Sequence, residues 1–200
     1  MPTDAIAAVL GPGGLLAQAS ESYEHRPQQL QMARVIRRAL EERRYAIVEA
    51  GTGTGKTLGY LLPAVLSGRR VVISTATKTL QDQIVHKDLP LLREVAAVDF
   101  SATVLKGRGN YLCHVKLEKV EADPGRLLPT KQDVKALPRI SEWAKRTKEG
   151  DRGELDIPDN LQLWRELSAT SETCLGQKCE RFEDCFVTRA RRKAAESDLV

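Results

Sequence analysis

Two short apolar runs, Tyr45–Ala50 ("YAIVEA") and Arg69–Thr75 ("RRVVIST"), are each followed by a stretch whose apolar residues recur at helical spacing. A short apolar run bounded by turn signals predicts a buried strand, and recurrence every three or four positions predicts a helix with one apolar face. The chain therefore predicts a strand over 45–50, a helix through "LGYLLPAVLSG", a strand over 69–75 and a helix through "TLQDQIVHKDL", with Ala102–Lys106 ("ATVLK") as a third strand. Upstream, Pro27 suits the first turn of a helix, where its missing N–H is not needed. That helix is expected to run through about Glu42, with Leu30, Met32, Val35, Ile36, Ala39 and Leu40 on its apolar side. Residues 1–27 read as a short apolar helix, a "GPGG" break and a loop ending in "YEHRP". Strands alternating with helices through short connections predict an α/β fold with a parallel sheet.

After Tyr111 the pattern changes. Residues 111–196 are rich in charge, hold all four cysteines, and show helical stretches around 132–147, 160–168 and 186–196 without a clear strand. They are expected to form an inserted, mainly helical subdomain, leaving 1–110 as the first part of the α/β domain. The final "SDLV", 197–200, reads as the opening of another buried strand.

Composition narrows the class without choosing the chemistry. With 42% hydrophobic and 29% charged residues, the chain is neither collagenous nor wholly disordered. No run approaches the roughly 20 apolar residues of a membrane helix, and the N-terminus lacks the pattern of a signal peptide. A cytoplasmic address is the expectation, and there clustered cysteines favour metal or redox chemistry over structural disulfides. The net charge of +4 permits a nucleic-acid partner without requiring one.

The chemistry enters at Ala50–Thr57, "AGTGTGKT". Glycines let a backbone wrap a phosphate with successive N–H groups aimed at it, and a following helix adds its N-terminal dipole. Gly51, Thr52, Gly53, Thr54 and Gly55 would form this cradle. Lys56 would reach the β- and γ-phosphates of ATP, and the Thr57 hydroxyl would hold Mg²⁺. The full pattern begins with glycine, where this chain has Ala50. Upstream, "YEHRPQQ" places Tyr23, Arg26, Gln28 and Gln29 about twenty-five residues before the loop. A glutamine amide can read adenine with one donor and one acceptor while an aromatic ring packs on the base. The alternative for this stretch is an ordinary polar helix start.

The cysteines are spaced C-x60-C-x4-C-x5-C: Cys113, then Cys174, Cys179 and Cys185. Structural zinc sites usually come as two close pairs, and common ferredoxin spacings do not match either. Spacing alone leaves a cluster, zinc and unligated thiols open. His114, beside Cys113, is a rival ligand. Lys106, Arg108, Lys178, Arg181, Arg189, Arg191, Arg192 and Lys193 could form a basic rim for a DNA backbone; with acidic residues interleaved, they could equally be a solvated face.

In this order, "YEHRPQQ", "EAGTGTGKT", "STATKTLQDQI", "KGRGNYLC" and the late cysteine trio resemble the DinG/XPD-type iron–sulfur superfamily 2 DNA helicases, nearest the DinG-like bacterial branch. The resemblance covers about 14–200. It implies a P-loop (RecA-like) motor domain, with Arg26 and Gln29 as the adenine-reading motif and Gly53–Thr57 as motif I. It implies that Ser74–Gln83 is motif Ia, along single-stranded DNA, with Thr75, Thr77, Lys78, Thr79 and Gln83 as contacts; seen alone, that stretch is a turn with a threonine cap. It further implies that Cys113, Cys174, Cys179 and Cys185 ligate a [4Fe–4S] cluster, and that the intact enzyme is a 5′→3′ ATP-dependent helicase of DNA repair or replication. The 200 residues contain no D-E-A-H-like box and no second motor domain, so the chain is expected to be an N-terminal portion of such an enzyme. The readings from other classes are a non-catalytic nucleotide- and DNA-binding module, and an unrelated P-loop ATPase with structural zinc.

Overall fold

The computed structural model describes residues 4–19, 23–158 and 162–200. The chain divides into two compact units, one holding the residues up to Val104 together with Ser197–Val200, the other Leu105–Glu196. The expected helical stretch 160–168 and the reading of 1–27 fall partly outside the described residues.

In the first unit, α1 (Ala5–Leu10) is capped by Asp4, whose carboxylate accepts the Ile6 and Ala7 amides. A short α2 follows (Leu15–Ala19). Helix α3 spans Pro27–Glu42, with proline in its first turn, and ends where Arg43 turns left-handed at φ 54°. Its most buried residues are Gln29 and Ala33, one turn apart, while Val35 is exposed. The inward stripe is thus rotated toward a polar residue that the apolar pattern could not include. Helix α4 (Lys56–Leu66) packs along α3 and buries Leu61 and Leu62 completely. Gly59 keeps that approach close: a Cβ there would lie 3.3 Å from Met32 Sδ.

Helix α5 (Lys78–Gln83) widens into a π turn at Ile84–Asp88 before continuing as α6 (Leu89–Ala96). Pro90 supplies a reason. It cannot donate to the carbonyl four residues back and its ring crowds that carbonyl, so a local widening relieves the clash. The wider spacing also brings residues five apart together: Gln83 Nε2 donates to Asp88 Oδ2 at 3.0 Å.

The expected parallel-sheet α/β domain is not what the structure contains. Among the described residues there is no β-strand, only isolated bridges. Leu199 makes single parallel bridges to Val71 and to Ala102, through bonds such as Val71 N–H to the Asp198 carbonyl (2.8 Å) and Thr103 N–H to the Leu199 carbonyl (2.9 Å). Tyr45–Ala50 has no bridge, and Tyr45 and Ile47 are fully exposed. A helix closes its hydrogen bonds within one segment, whereas a strand needs a neighbour for every N–H and C=O. The apolar runs met the local half of that requirement only.

In the second unit, α7 (His114–Ala122), α8 (Pro124–Leu127), α9 (Lys131–Ala144), α10 (Leu163–Leu167) and α11 (Phe186–Glu196) surround a core containing Leu112, Ile140, Leu163 and Leu167. Two polar anchors are buried with it. Asp133 accepts from the Leu163 amide at 3.0 Å and from the Thr130 hydroxyl at 2.7 Å. Trp164 Nε1 donates to the Gly109 carbonyl at 2.7 Å. Single antiparallel bridges join Tyr111 to Asp151 and Leu112 to Ser168. Gly150, at φ +63°, lets the Phe186 ring close on its backbone; a Cβ there would lie 2.3 Å from that ring.

Candidate nucleotide site and cysteine cavity

The loop between the extended Tyr45–Ala50 segment and α4 is shaped by two left-handed glycines, Gly53 (φ 80°) and Gly55 (φ 72°). L side chains disfavour that region, so glycine is required at both. Ala50 is not among the residues with positive φ. What it offers the loop is a backbone carbonyl, which alanine provides as well as glycine. Lys56 Nζ donates to that Ala50 carbonyl at 2.9 Å and to the Gly51 carbonyl at 2.7 Å, and the Thr54 hydroxyl donates to Gly51 at 3.0 Å. Gly51, Thr52, Gly53 and Lys56 are exposed. Gly55 opens α4 without a side-chain cap, so the amides of the first turn remain available to an anion beside the helix dipole. Burial raises the Tyr60 phenol above its usual range, and Thr57, one turn back, opposes the shift.

Arg26 and Gln29 do lie beside this loop. A Cβ on Gly55 would stand 2.1 Å from Gln29 Nε2 and 3.6 Å from Arg26 Nη1. Tyr23 packs against the core of the first unit, and burial raises its phenol while Arg26 opposes the shift. Downstream, Thr77 caps α5, accepting the Leu80 amide at 3.4 Å, and Thr75 Oγ1 accepts the Thr77 amide at 3.5 Å. These caps use oxygen lone pairs and leave both hydroxyl protons for another acceptor. Thr77, Lys78, Thr79 and Gln83 are exposed and Thr75 is half-buried. Tyr60 and Asp88 are partners that sequence reasoning missed. Spacing of three within a helix could have flagged Tyr60, but the five-residue step to Asp88 exists only in the π turn.

In the second unit, Cys113, Cys174, Cys179 and Cys185 line one cavity of about 410 Å³. All four are free thiols and half-buried. Cys113 precedes α7, and Cys185 directly precedes Phe186 at the start of α11. The Gly176 amide donates to Cys174 Sγ at 3.4 Å. Burial pushes the Cys113 thiol up, the α7 amides of Lys116 and Val115 oppose this, and nearby Cys185 and Cys179 add to the rise. Among the described residues, no three His, Cys, Asp or Glu side chains are placed to hold a metal ion.

Arg108 lines the same cavity, and its Nε is buried without a partner, while Nη1 donates to the Thr170 carbonyl at 3.1 Å. An unsatisfied guanidinium N–H beside four thiols suits a bulky anionic group ligated by thiolates. His114 is elsewhere: its ring stacks on Phe186 with centroids 4.6 Å apart, and burial pushes its pKa down. Much of the basic rim is occupied internally. Arg181 pairs with Glu118 (2.5 Å), Arg192 with Glu183 (2.8 Å) and Lys193 with Glu149 (3.4 Å), while Arg189 donates to the Lys148 carbonyl. No helix among the described residues is long and apolar enough to cross a membrane.

The family of DEAD/DEAH box helicases matches residues 27–128. The ATP-dependent DNA helicase YoaA of Haemophilus influenzae is 37% identical over 196 residues, 98% of this chain and 30% of its own length. YoaA of Escherichia coli is 39% identical over 190 residues, 94% of this chain and 30% of its own length. The ATP-dependent DNA helicase DinG of Salmonella typhimurium is 37% identical over 196 residues, 87% of this chain and 27% of its own length. The chain thus spans less than a third of each of these relatives.

Proposed function

The chain belongs to the DEAD/DEAH box helicase family, and on that premise we propose that it is the ATP-binding front part of a cytoplasmic ATP-dependent 5′→3′ DNA helicase of repair or replication. The observation that carries this reading is the Ala50–Thr57 loop. Its left-handed glycines, its lysine on loop carbonyls and the uncapped start of α4 together form an exposed anion cradle. ATP with Mg²⁺ is the ligand. The amides of Gly51–Lys56 would wrap its phosphates, the Lys56 ammonium would exchange the Ala50 and Gly51 carbonyls for phosphate oxygens, and the Thr57 hydroxyl would help hold the metal. Arg26 and Gln29 complete the site. Thr75, Thr77, Lys78, Thr79 and Gln83 offer hydroxyls, a charge and an amide to a single DNA strand.

The Leu105–Glu196 unit is proposed to carry a [4Fe–4S] cluster on Cys113, Cys174, Cys179 and Cys185. Support comes from the four thiols on one cavity and the unpartnered Arg108 Nε beside them. When bound, the cluster supplies four metal–thiolate bonds that tie the start of α7 to the approach to α11; no role in ATP chemistry is assigned to it.

The test uses the 200-residue chain purified without oxygen. It should bind MgATP, contain iron and acid-labile sulfide, and absorb broadly near about 400 nm, whereas zinc would leave it colourless. Lacking a D-E-A-H-like box, it should not hydrolyse ATP at multiple turnovers per second. Failure to bind MgATP would refute the nucleotide reading, and colourless, zinc-loaded protein would refute the cluster.

A further inference from the structure

Helix α9 buries one side and leaves the other to solvent. Asp133, Leu137 and Ile140 are buried, whereas Lys131, Lys135 and Arg139 are exposed at steps of four residues. At 1.5 Å per residue these three cations form a row about 12 Å long. None of them has an ion-pair partner among the described residues. Glu142, the carboxylate on the same face, is held by Lys145 at 2.5 Å. Arg146, just past the helix end, turns its Nε to the Glu142 carbonyl at 3.4 Å. Asp133 points inward and accepts the Leu163 amide, so it does not neutralise the row.

This row does not stabilise the fold. Like charges four residues apart on a helix repel, and Lys131 stands in the first turn, at the positive end of the helix dipole. Helix α3 shows the stabilising arrangement, with Arg37 on Glu41 and Arg38 on Glu42 at the same spacing. On α11, Arg192 and Lys193 are likewise occupied by Glu183 and Glu149. Unpaired cations on the outside of a rigid helix create a positive potential that a polyanion relieves. The face offers no aromatic platform. Trp143 is turned aside, donating to Glu154 at 3.1 Å, with its ring 6.2 Å from that of Trp164. Single strands are held by basic grooves with rings on which the bases stack. A duplex, with its bases already stacked, presents a phosphate backbone that needs charge and no ring.

We propose that the outer face of α9, through Lys131, Lys135 and Arg139, binds the phosphate backbone of duplex DNA without regard to sequence. The inference deepens the DNA reading proposed above and rests on it. It adds a duplex contact on the second unit to the single-strand contacts proposed for 75–83.

The experiment follows a fluorescent blunt duplex and a fluorescent oligothymidylate by anisotropy as each binds the 200-residue chain, across about 50–200 mM salt. Lys131→Gln, Lys135→Gln and Arg139→Gln together should lower the salt slope for the duplex by about 2 to 3, since each phosphate contact contributes roughly 0.9. Duplex affinity should fall by about tenfold or more at the lowest salt, and oligothymidylate affinity should stay within about twofold. The melting temperature should not fall, because all three side chains are exposed. The charge-keeping combination Lys131→Arg, Lys135→Arg and Arg139→Lys should retain the wild-type slope. An unchanged duplex slope in the glutamine variant would overturn the proposal and leave the MgATP and single-strand readings in place. An equal loss of oligothymidylate would overturn it too, as would a wild-type chain that binds oligothymidylate and no duplex. A wild-type chain that binds neither refutes the DNA reading itself, and this surface with it.

Discussion

The candidate phosphate loop and the cysteine cavity are built in opposite ways. The loop draws its residues from one unbroken stretch, and its shape comes from backbone angles that glycines alone adopt without strain. Its lysine rests on its own loop carbonyls in an exposed position. The cavity collects four side chains from between Cys113 and Cys185: Cys113 and Cys185 stand at the starts of α7 and α11, and Cys174 and Cys179 lie on either side of a short 3-10 turn at Gly176–Lys178. A contiguous site can be damaged with little effect on stability, since little is buried in making it. An assembled site is inseparable from the packing that gathers it.

That contrast can be broken most directly at the cavity. Cys179→Ser should abolish iron and sulfide binding, because a thiolate-bound cluster needs all its ligands. Since metal binding is folding free energy in small sites, melting of the Leu105–Glu196 unit should fall by more than about 5 °C. MgATP affinity should stay within about twofold; a parallel loss of nucleotide binding would erase the distinction.

Next in size is Phe186→Ala, at the residue after Cys185. The ring is buried against Gly150 and His114, so truncation should cost about 3–5 kcal/mol by chemical denaturation. A cost near zero would mean that packing does not hold this end of the cavity.

Lys56→Ala probes the other side of the comparison. It should weaken MgATP by about tenfold to a hundredfold, the scale of a charge-assisted hydrogen bond. The melting temperature should not move, because the lysine's partners are exposed carbonyls. A destabilised variant would show that the loop, too, contributes to packing.

The smallest effect concerns Asp88 in the π turn. Burial raises its pKa above the ordinary 3.8, against the opposing pull of the Gln83 bond and Lys87. The protonated form therefore favours the folded state. That contribution is complete below pH 3.8 and lost as pH rises through the raised folded value. Wild type should lose a little stability over that interval relative to Asp88→Asn, whose amide oxygen can still accept from Gln83. A difference of the opposite sign in paired pH–denaturation series would refute the assignment.

Legibility in the sequence follows the same division. Pro27 predicted the start of α3 and Glu42 its end, because helix termini answer to local signals. The run of glycines before Lys56 predicted a loop, and Gly53 and Gly55 take the required left-handed angles. The strands at 45–50, 69–75 and 102–106 failed, since apolar runs state a preference for extension but cannot supply the neighbour. α7 and α8 were not foreseen: with few apolar residues, their charged stretch carried no clear period. On α3, Leu30, Met32, Ile36, Ala39 and Leu40 are partly buried as expected, but Val35 is exposed and the most buried positions include Gln29, a polar residue that an apolar pattern leaves out.

The amino-acid sequence by itself determined the left-handed glycine loop before α4, the limits of α3 and the family, each of which rests on short stretches read locally, the family on several of them taken in order. Tertiary structure alone decided that the four distant thiols share one cavity, that Gln29 turns inward to Gly55, and that Gln83 meets Asp88 across a widened turn. The physical reason is the range of the interactions. Backbone angles and helix caps are satisfied within a few residues, whereas a cavity, a strand ladder or a buried amide is satisfied only by groups that folding brings from elsewhere.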